Sequence, residues 1–215
     1  MQLEECIINR RSIRKYLPTP VDVETIIHLL DIAKWAPTAC NRQECYFIIV
    51  DDKKLISDIV DAGGSRLLLN SDKVLFVLYS SLTDNLEYGD HIQSASAIIQ
   101  NFLLIAHEKK ISTCWVCHLP RKKKLKKLLS IPNNVEVIAA VSLGYADFNN
   151  IKVIKRKYEI KDIVGFNSFY SKRKLIKGKE LIYTKIFLNK LYYLFPTFLK
   201  KNINNFLDMY FVKKF

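Results

Sequence analysis

The chain predicts a mixed α and β (α+β) protein, and three observations carry that reading. Apolar runs of strand length fall at residues 46–50, 74–79 and 135–143. Segments with helical period fall at 21–35 and 91–108, so helices separate the strands. No internal repeat or low-complexity linker breaks the pattern, and 215 residues suffice for one well-buried core.

Taken in order, residues 2–9 read as a short helix. Val23, Ile26, Ile27 and Leu30 recur at i, i+3, i+4 and i+7 and predict a helix over 21–35, with Thr19, Pro20 and Asp22 as start signals. Pro37 stops it, and Thr38 to Gln43 forms a polar connection. Tyr46 to Val50 is a buried strand ending at Asp51-Asp52, and Val74 to Tyr79 is a second. From His91 to Glu108, Ala95, Ile98, Ile99, Phe102, Leu103, Ile105 and Ala106 make a helix apolar on most sides, the pattern of a central core helix. Val135 to Leu143, closed by Gly144, lacks polar alternation and predicts a central strand.

The formal charge of +13 resembles a nucleic-acid signal until it is divided by position. Residues 1–150 hold 18 Lys+Arg against 17 Asp+Glu, or +1, whereas residues 151–215 hold 16 against 4, or +12. The basicity therefore describes an extension, and the composition changes near Lys152. Glu4 and Glu5 arrive too early for a secretory signal, so the five cysteines predict a reduced, cytoplasmic protein. No run of about 18 apolar residues is free of charge, which argues against a spanning helix.

Two local clusters carry chemistry. Arg10-Arg11-Ser12-Ile13-Arg14 puts three guanidiniums and a hydroxyl within five residues, suited to phosphate oxygens, although a solvated basic turn is equally compatible. Ala36-Pro37-Thr38-Ala39-Cys40-Asn41-Arg42-Gln43 carries amides and hydroxyls able to read a heterocycle, or is simply a loop.

Together with the helix Ser94 to Leu104, with Thr113-Cys114-Trp115-Val116 and with Leu143-Gly144-Tyr145 followed by basic residues, these clusters resemble, in order, the nitroreductase family over residues 4–165. The resemblance implies a three-layer α/β/α sandwich with a central mixed sheet. It implies domains of 1–165, binding FMN, and 166–215, a basic, aromatic C-terminal helical extension. It further implies a homodimer with FMN at the subunit interface and NADH or NADPH as co-substrate, reducing a nitro compound or quinone by ping-pong hydride transfer. By position, Arg10, Arg11, Ser12 and Arg14 would hold the phosphate and part of the ring edge. Pro37, Thr38, Ala39 and Asn41 would come from the neighbouring subunit, and Lys155 or Arg156 would supply a late basic group. Thr113 to His118 would form a turn beside the flavin N5, with Trp115, Val116 and Cys117 contributing. The family pattern has glycine where this chain has Lys110, Ser112 and Cys117, which keeps a flavin-binding accessory or sensor with little turnover as the alternative. No side-chain catalytic residue and no metal ligand is expected.

Other motifs are weaker. Cys114-Trp115-Val116-Cys117-His118 matches the c-type haem spacing, but haem attachment needs export, and no second ligand pair completes a zinc set. His28, His91 and His107 are scattered. Arg121 to Lys124 with Lys126 and Lys127 reads as the wet side of a helix whose Leu125, Leu128 and Leu129 face inward, with a nicotinamide or polyphosphate pocket as the sharper reading. With six glycines and no GxGxxG or Walker loop, a nicotinamide would bind transiently over the flavin.

In the extension, Ile203, Phe206, Leu207, Tyr210 and Phe211 predict a final amphipathic helix. Three readings stand for this segment: wrapping over the partner subunit, a peripheral membrane surface, and nucleic acid. The last lacks a recognition motif.

Overall fold

The computed structural model describes residues 2–82, 85, 87–147, 156–170, 179–196, 199 and 202–203. They fall in two compact units, one within Met1–Ile151 with Lys201–Phe215 and the other within Lys152–Lys200. The first unit contains α1 (Leu3–Asn9), α2 (Val23–Ala33), β1 (Cys45–Val50), α3 (Lys53–Asp61), β2 (Lys73–Ser80), α4 (Asp90–Glu108), β3 (Ser112–Val116), α5 (Lys122–Leu128) and β4 (Val135–Gly144). The four strands form one sheet in the order β1-β2-β4-β3, so the two most apolar strands are central. All three pairings are antiparallel, which corrects the mixed sheet expected from the resemblance; among the described residues, an isolated bridge between Ser12 and Thr113 is parallel.

The alternation of β2 explains the three layers. Leu75, Val77 and Tyr79 join Ala139, Val141 and Leu143 against α2 and α4, while Val74, Phe76 and Leu78 join Val137 and Ala140 against α3 and α5. Val77 is opposite Ala139 but Leu78 is opposite Val137, so Ile138 is an extra residue in β4. That bulge lets Val137 and Ala140 face the same layer although three positions apart.

The buried stripe of α2 is Ile26, Leu29, Leu30 and Ala33, rotated from the expected face. Ile27 is exposed, as are Ile32 and Trp35. The helix is apolar over a wider arc than one core face can cover, and sequence spacing alone does not select which edge stays outside. Asp22 caps it by accepting from the Thr25 amide at 3.2 Å.

The sequence reading missed α3. Asp52, read as a strand terminator, is its N-cap and accepts from the Lys54 amide at 2.8 Å. Leu55, Ile56, Ile59 and Val60 supply the inward face that could have revealed it.

In the second unit, α6 spans Lys179–Leu194 and ends before Pro196. The final predicted helix lies, beyond Asn202 and Ile203, outside the described residues.

Candidate active site

The arginine cluster is positioned by the exit of α1 and the edge of β3. The Arg10 amide donates to the Cys6 carbonyl at 3.0 Å and ends the helix. Arg11 folds back, its Nη1 donating to the carbonyls of Ile8 and Arg10. The chain then turns along β3: the Ile13 amide donates to the Thr113 carbonyl at 3.0 Å, and Arg14 Nη1 donates to the Ser12 carbonyl at 3.3 Å.

Tyr16 fastens this segment. Its hydroxyl donates to the Ile13 carbonyl at 2.6 Å and lies 2.9 Å from Ser142 Oγ. Burial pushes the Tyr16 phenol well above its ordinary range, so it remains a neutral donor. A Cβ on Gly144 would sit 2.8 Å from the Tyr16 ring, which explains a glycine at the end of β4. Gly144 is visible in the sequence as the close of the last strand and within the Leu143-Gly144-Tyr145 mark, whereas nothing local points to Tyr16.

The cluster's positive field is felt at two places. Burial, and then Arg10 and Arg11, hold the His107 imidazole below its usual range. Burial pushes the Cys114 thiol up, against the opposing pull of Arg14, Arg10 and the Ser12 hydroxyl. A cavity of about 30 Å³ lies between them, lined by Asn9, Arg10, Arg11, His107, Ser112 and Thr113 among others. Arg11 Nε and Ser112 Oγ are buried there without hydrogen-bond partners among the described residues. A larger groove of about 480 Å³ is lined by Asp22, Glu24, His28, Lys109 and Tyr145 among others and contains none of the expected site residues.

The second cluster is a constrained loop. Ala36 is buried, Thr38 is extended, and Ala39–Asn41 forms a single 3-10 turn. Cys40, Asn41 and Gln43 have φ of 50°, 52° and 55°. For L residues that region costs roughly 1–2 kcal/mol each, and such concentrations of strain gather at functional loops. The turn is held by Ser94 of α4, which accepts from the Ala39 amide at 2.9 Å and donates to the Asp90 carbonyl at 2.8 Å. Within it the Gln43 amide donates to Thr38 Oγ1, and Gln43 Nε2 to Asn41 Oδ1. Pro37 precedes this turn, so Pro37, Thr38, Ala39 and Asn41 form one unit.

The third expected segment is a strand through Val116, correcting the expected turn. Pairing with β4 makes it extended, and this decides what each residue presents. The Val116 side chain is buried in the second layer, Trp115 is half-buried against the first, and Cys117 is exposed just past the strand. Thr113 turns its carbonyl toward Ile13, so strand alternation points the Trp115 amide to the same outer edge.

The glycine departures resolve differently. Lys110 has φ of 60° and stands just beyond α4, where its amide donates to the His107 carbonyl and that of Ile111 to Ala106, a Schellman cap that favours glycine. The Ser112 side chain is buried, and Cys117 is not among the positive-φ residues. Cys114 lies within a strand, away from the helix start that a redox CxxC pair would use, and all five cysteines are free thiols.

Arg156 belongs to the second unit and Lys155 lies outside the described residues. On α5, Leu125 is buried as expected, while Lys122 and Lys126 both reach Glu136 of β4, at 2.6 and 2.7 Å. These contacts give the basic run a structural role on one side. No group of three or more His, Cys, Asp or Glu among the described residues could hold a metal ion.

A three-layer fold with a cationic strand edge and a strained amide loop defines a class, and comparison with known proteins specifies it. The model of the nitroreductase family matches residues 7–81 and 62–145. A relative from Archaeoglobus fulgidus, provisionally named NADH dehydrogenase/NAD(P)H nitroreductase, is 34% identical over 150 residues, spanning 66% of this chain and 86% of its own. A nitroreductase family protein of Clostridium novyi NT superposes with a TM-score of 0.64 at 26% identity, over 71% of this chain and 89% of that one. An FMN-dependent nitroreductase of Clostridium difficile R20291 gives a TM-score of 0.62 at 26% identity, over 77% and 99%. The chain belongs to the nitroreductase family and is an oxidoreductase.

Proposed function

We propose that the protein is an FMN-dependent oxidoreductase that uses NADH or NADPH to reduce a small acceptor such as a nitro compound or quinone, and that two copies complete each site. The observation that carries this reading is the placement of the two clusters along α4. Ser94 anchors the amide loop, whereas His107 faces Arg10 and Arg11. Thirteen residues of helix separate them by about 20 Å at 1.5 Å per residue. One chain therefore presents a phosphate-type site at one end and a ring-reading loop at the other, and a second copy brings the complementary loop. Exposed Leu3, Ile7 and Ile8 on α1, Ile27 and Ile32 on α2, and Trp35 just past it offer apolar surface for that pairing.

The residues fit the cofactor's chemistry. Guanidiniums whose field reaches both His107 and Cys114 suit a phosphate dianion. Arg10, Ser12 and Arg14 would hold it, with Lys155 or Arg156 as a further cation; Arg11, already bound to two carbonyls, contributes mainly field. Pro37, Thr38, Ala39 and Asn41 from the second copy would pack against the ring. Backbone amides at Trp115 and Cys117 are the donors available to its N5 edge, while Val116, whose amide faces β4, holds the strand between them. FMN, when bound, supplies the relay of hydride from nicotinamide to acceptor in two alternating half-reactions. The chain's part is to bind, orient and donate hydrogen bonds, with no side-chain nucleophile.

Lys110 stands at the cap of α4 and Ser112 at the start of β3, so neither departure falls among Trp115, Val116 and Cys117, which supports turnover over a purely accessory role. In this reading the core is residues 1–165, and 166–215 is an addition. Among the described residues no helix is long and apolar enough to cross a membrane.

The test is the purified protein's spectrum, followed by stopped-flow mixing with NADH and NADPH. Flavin absorbance that bleaches rapidly supports the reading; bound flavin that neither nicotinamide reduces would leave a binding protein. A colourless chain that FMN cannot reconstitute would remove both.

A further inference from the structure

We infer that the second unit is a docking surface for an anionic lipid bilayer. Residues 152–200 carry 13 Lys+Arg against 3 Asp+Glu, in a chain whose first 150 residues are almost neutral. Among the described residues of the same stretch, large apolar side chains are exposed. Phe166 is 86% exposed, Phe169 78% and Leu194 78%, and Ile160, Tyr183 and Phe187 are also outside. On α6, Tyr183, Phe187, Leu191 and Leu194 recur at i, i+4, i+8 and i+11 and form an exposed stripe, with Ile186 and Leu188 exposed on either side of it.

Three occupants compete for such a surface, and charge separates them. A second copy offers a core at +1 and an equally basic extension, so it supplies no negative complement. Nucleic acid would match the charge and could stack on the aromatic rings, but would leave Leu188, Leu191 and Leu194 in water. A bilayer with acidic headgroups meets both features at once, accepting Phe, Tyr and Leu at the acyl boundary beneath a layer of lysine contacts.

The surface also lies beyond the residues that the family model matches. The family match ends at residue 145. A solved relative from Parabacteroides distasonis, TM-score 0.68 and 25% identical, is matched over 99% of its own chain by 79% of this one. About a fifth of this chain thus has no counterpart there.

Flotation of the full chain with vesicles tests the inference. Vesicles of phosphatidylcholine with about 30% phosphatidylserine should carry the protein upward at least about tenfold better than phosphatidylcholine alone. Raising the salt from about 0.1 M to about 1 M, which shortens the screening length from about 10 to about 3 Å, should cut that recovery severalfold. Two full-length variants, Phe166→Ser with Phe169→Ser and Phe187→Ser with Leu194→Ser, alter exposed side chains and should each lose about fivefold or more of the recovery at an unchanged melting temperature. No flotation with either vesicle overturns the inference, as does equal recovery of folded variants. A change of dimer mass in the variants without wild-type flotation would assign the surface to a second copy, and retention on an RNA homopolymer without flotation to nucleic acid; either overturns it. The wild-type arms stand even if a variant misfolds, and none of these readouts depends on bound flavin.

Discussion

Tyr16 and Gly144 show how single residues hold the candidate site. The tyrosine bridges the arginine-bearing segment to β4, and its ring occupies the space a side chain at 144 would need. Gly144→Ala should therefore destabilise the fold by about 1–3 kcal/mol, the usual cost of overpacking, read as a lower urea midpoint. Arg14 tests the anion assignment. A charge-assisted hydrogen bond contributes about 1.5–3 kcal/mol, so Arg14→Ala should weaken FMN binding by roughly 10- to 100-fold. Lys123→Ala, on the exposed side of α5, should leave it unchanged; equal effects would reject the phosphate assignment. The Arg10 to Arg14 cluster was legible because its residue types are concentrated in five positions. Tyr16, Ser94 and His107 were not, because each joins the site through contacts distant in sequence, which local spacing does not encode.

Two elements carry their own tests. Lys110 holds a left-handed φ at the Schellman cap of α4, where glycine avoids the Cβ penalty. Lys110→Gly should stabilise the protein by about 1 kcal/mol, measured by chemical denaturation, offset in part by glycine's greater unfolded-state freedom. A loss of stability would contradict the cap. On the other face, burial pushes the Glu136 carboxyl up, but hydrogen bonds and charge from Lys122 and Lys126 outweigh it and hold it below the ordinary glutamate range. A carboxyl lowered in the fold stabilises above its unfolded pKa, and that contribution fades as pH falls through the lowered value. Glu136→Gln should therefore flatten the acid limb of a stability-versus-pH profile and leave its slope near neutrality unchanged. Strands β1, β2 and β4 were readable because an apolar run between polar ends fits a buried sheet. The face of α2 was not, since Ile27 and Leu29 are equally apolar and only packing against α4 separates them. The 112–116 strand was hidden for a similar reason: its extension depends on pairing with β4.

At the scale of the whole molecule, the proposed function makes dimerisation a condition of cofactor binding, because the two clusters lie at opposite ends of α4. Sequence order brought both clusters into view, and the family resemblance suggested their union, but only the helix between them measures the separation. Charge division was equally visible in the composition, whereas the exposed aromatic stripe of α6 required the fold. Sedimentation velocity of the FMN-reconstituted protein, followed at the flavin absorbance, joins cofactor and assembly in one observation. The flavin should sediment wholly with a particle of twice the chain mass of 25.0 kDa, at one FMN per chain. Flavin sedimenting with a single chain, or remaining free beside a folded protein, would contradict a site shared between two copies.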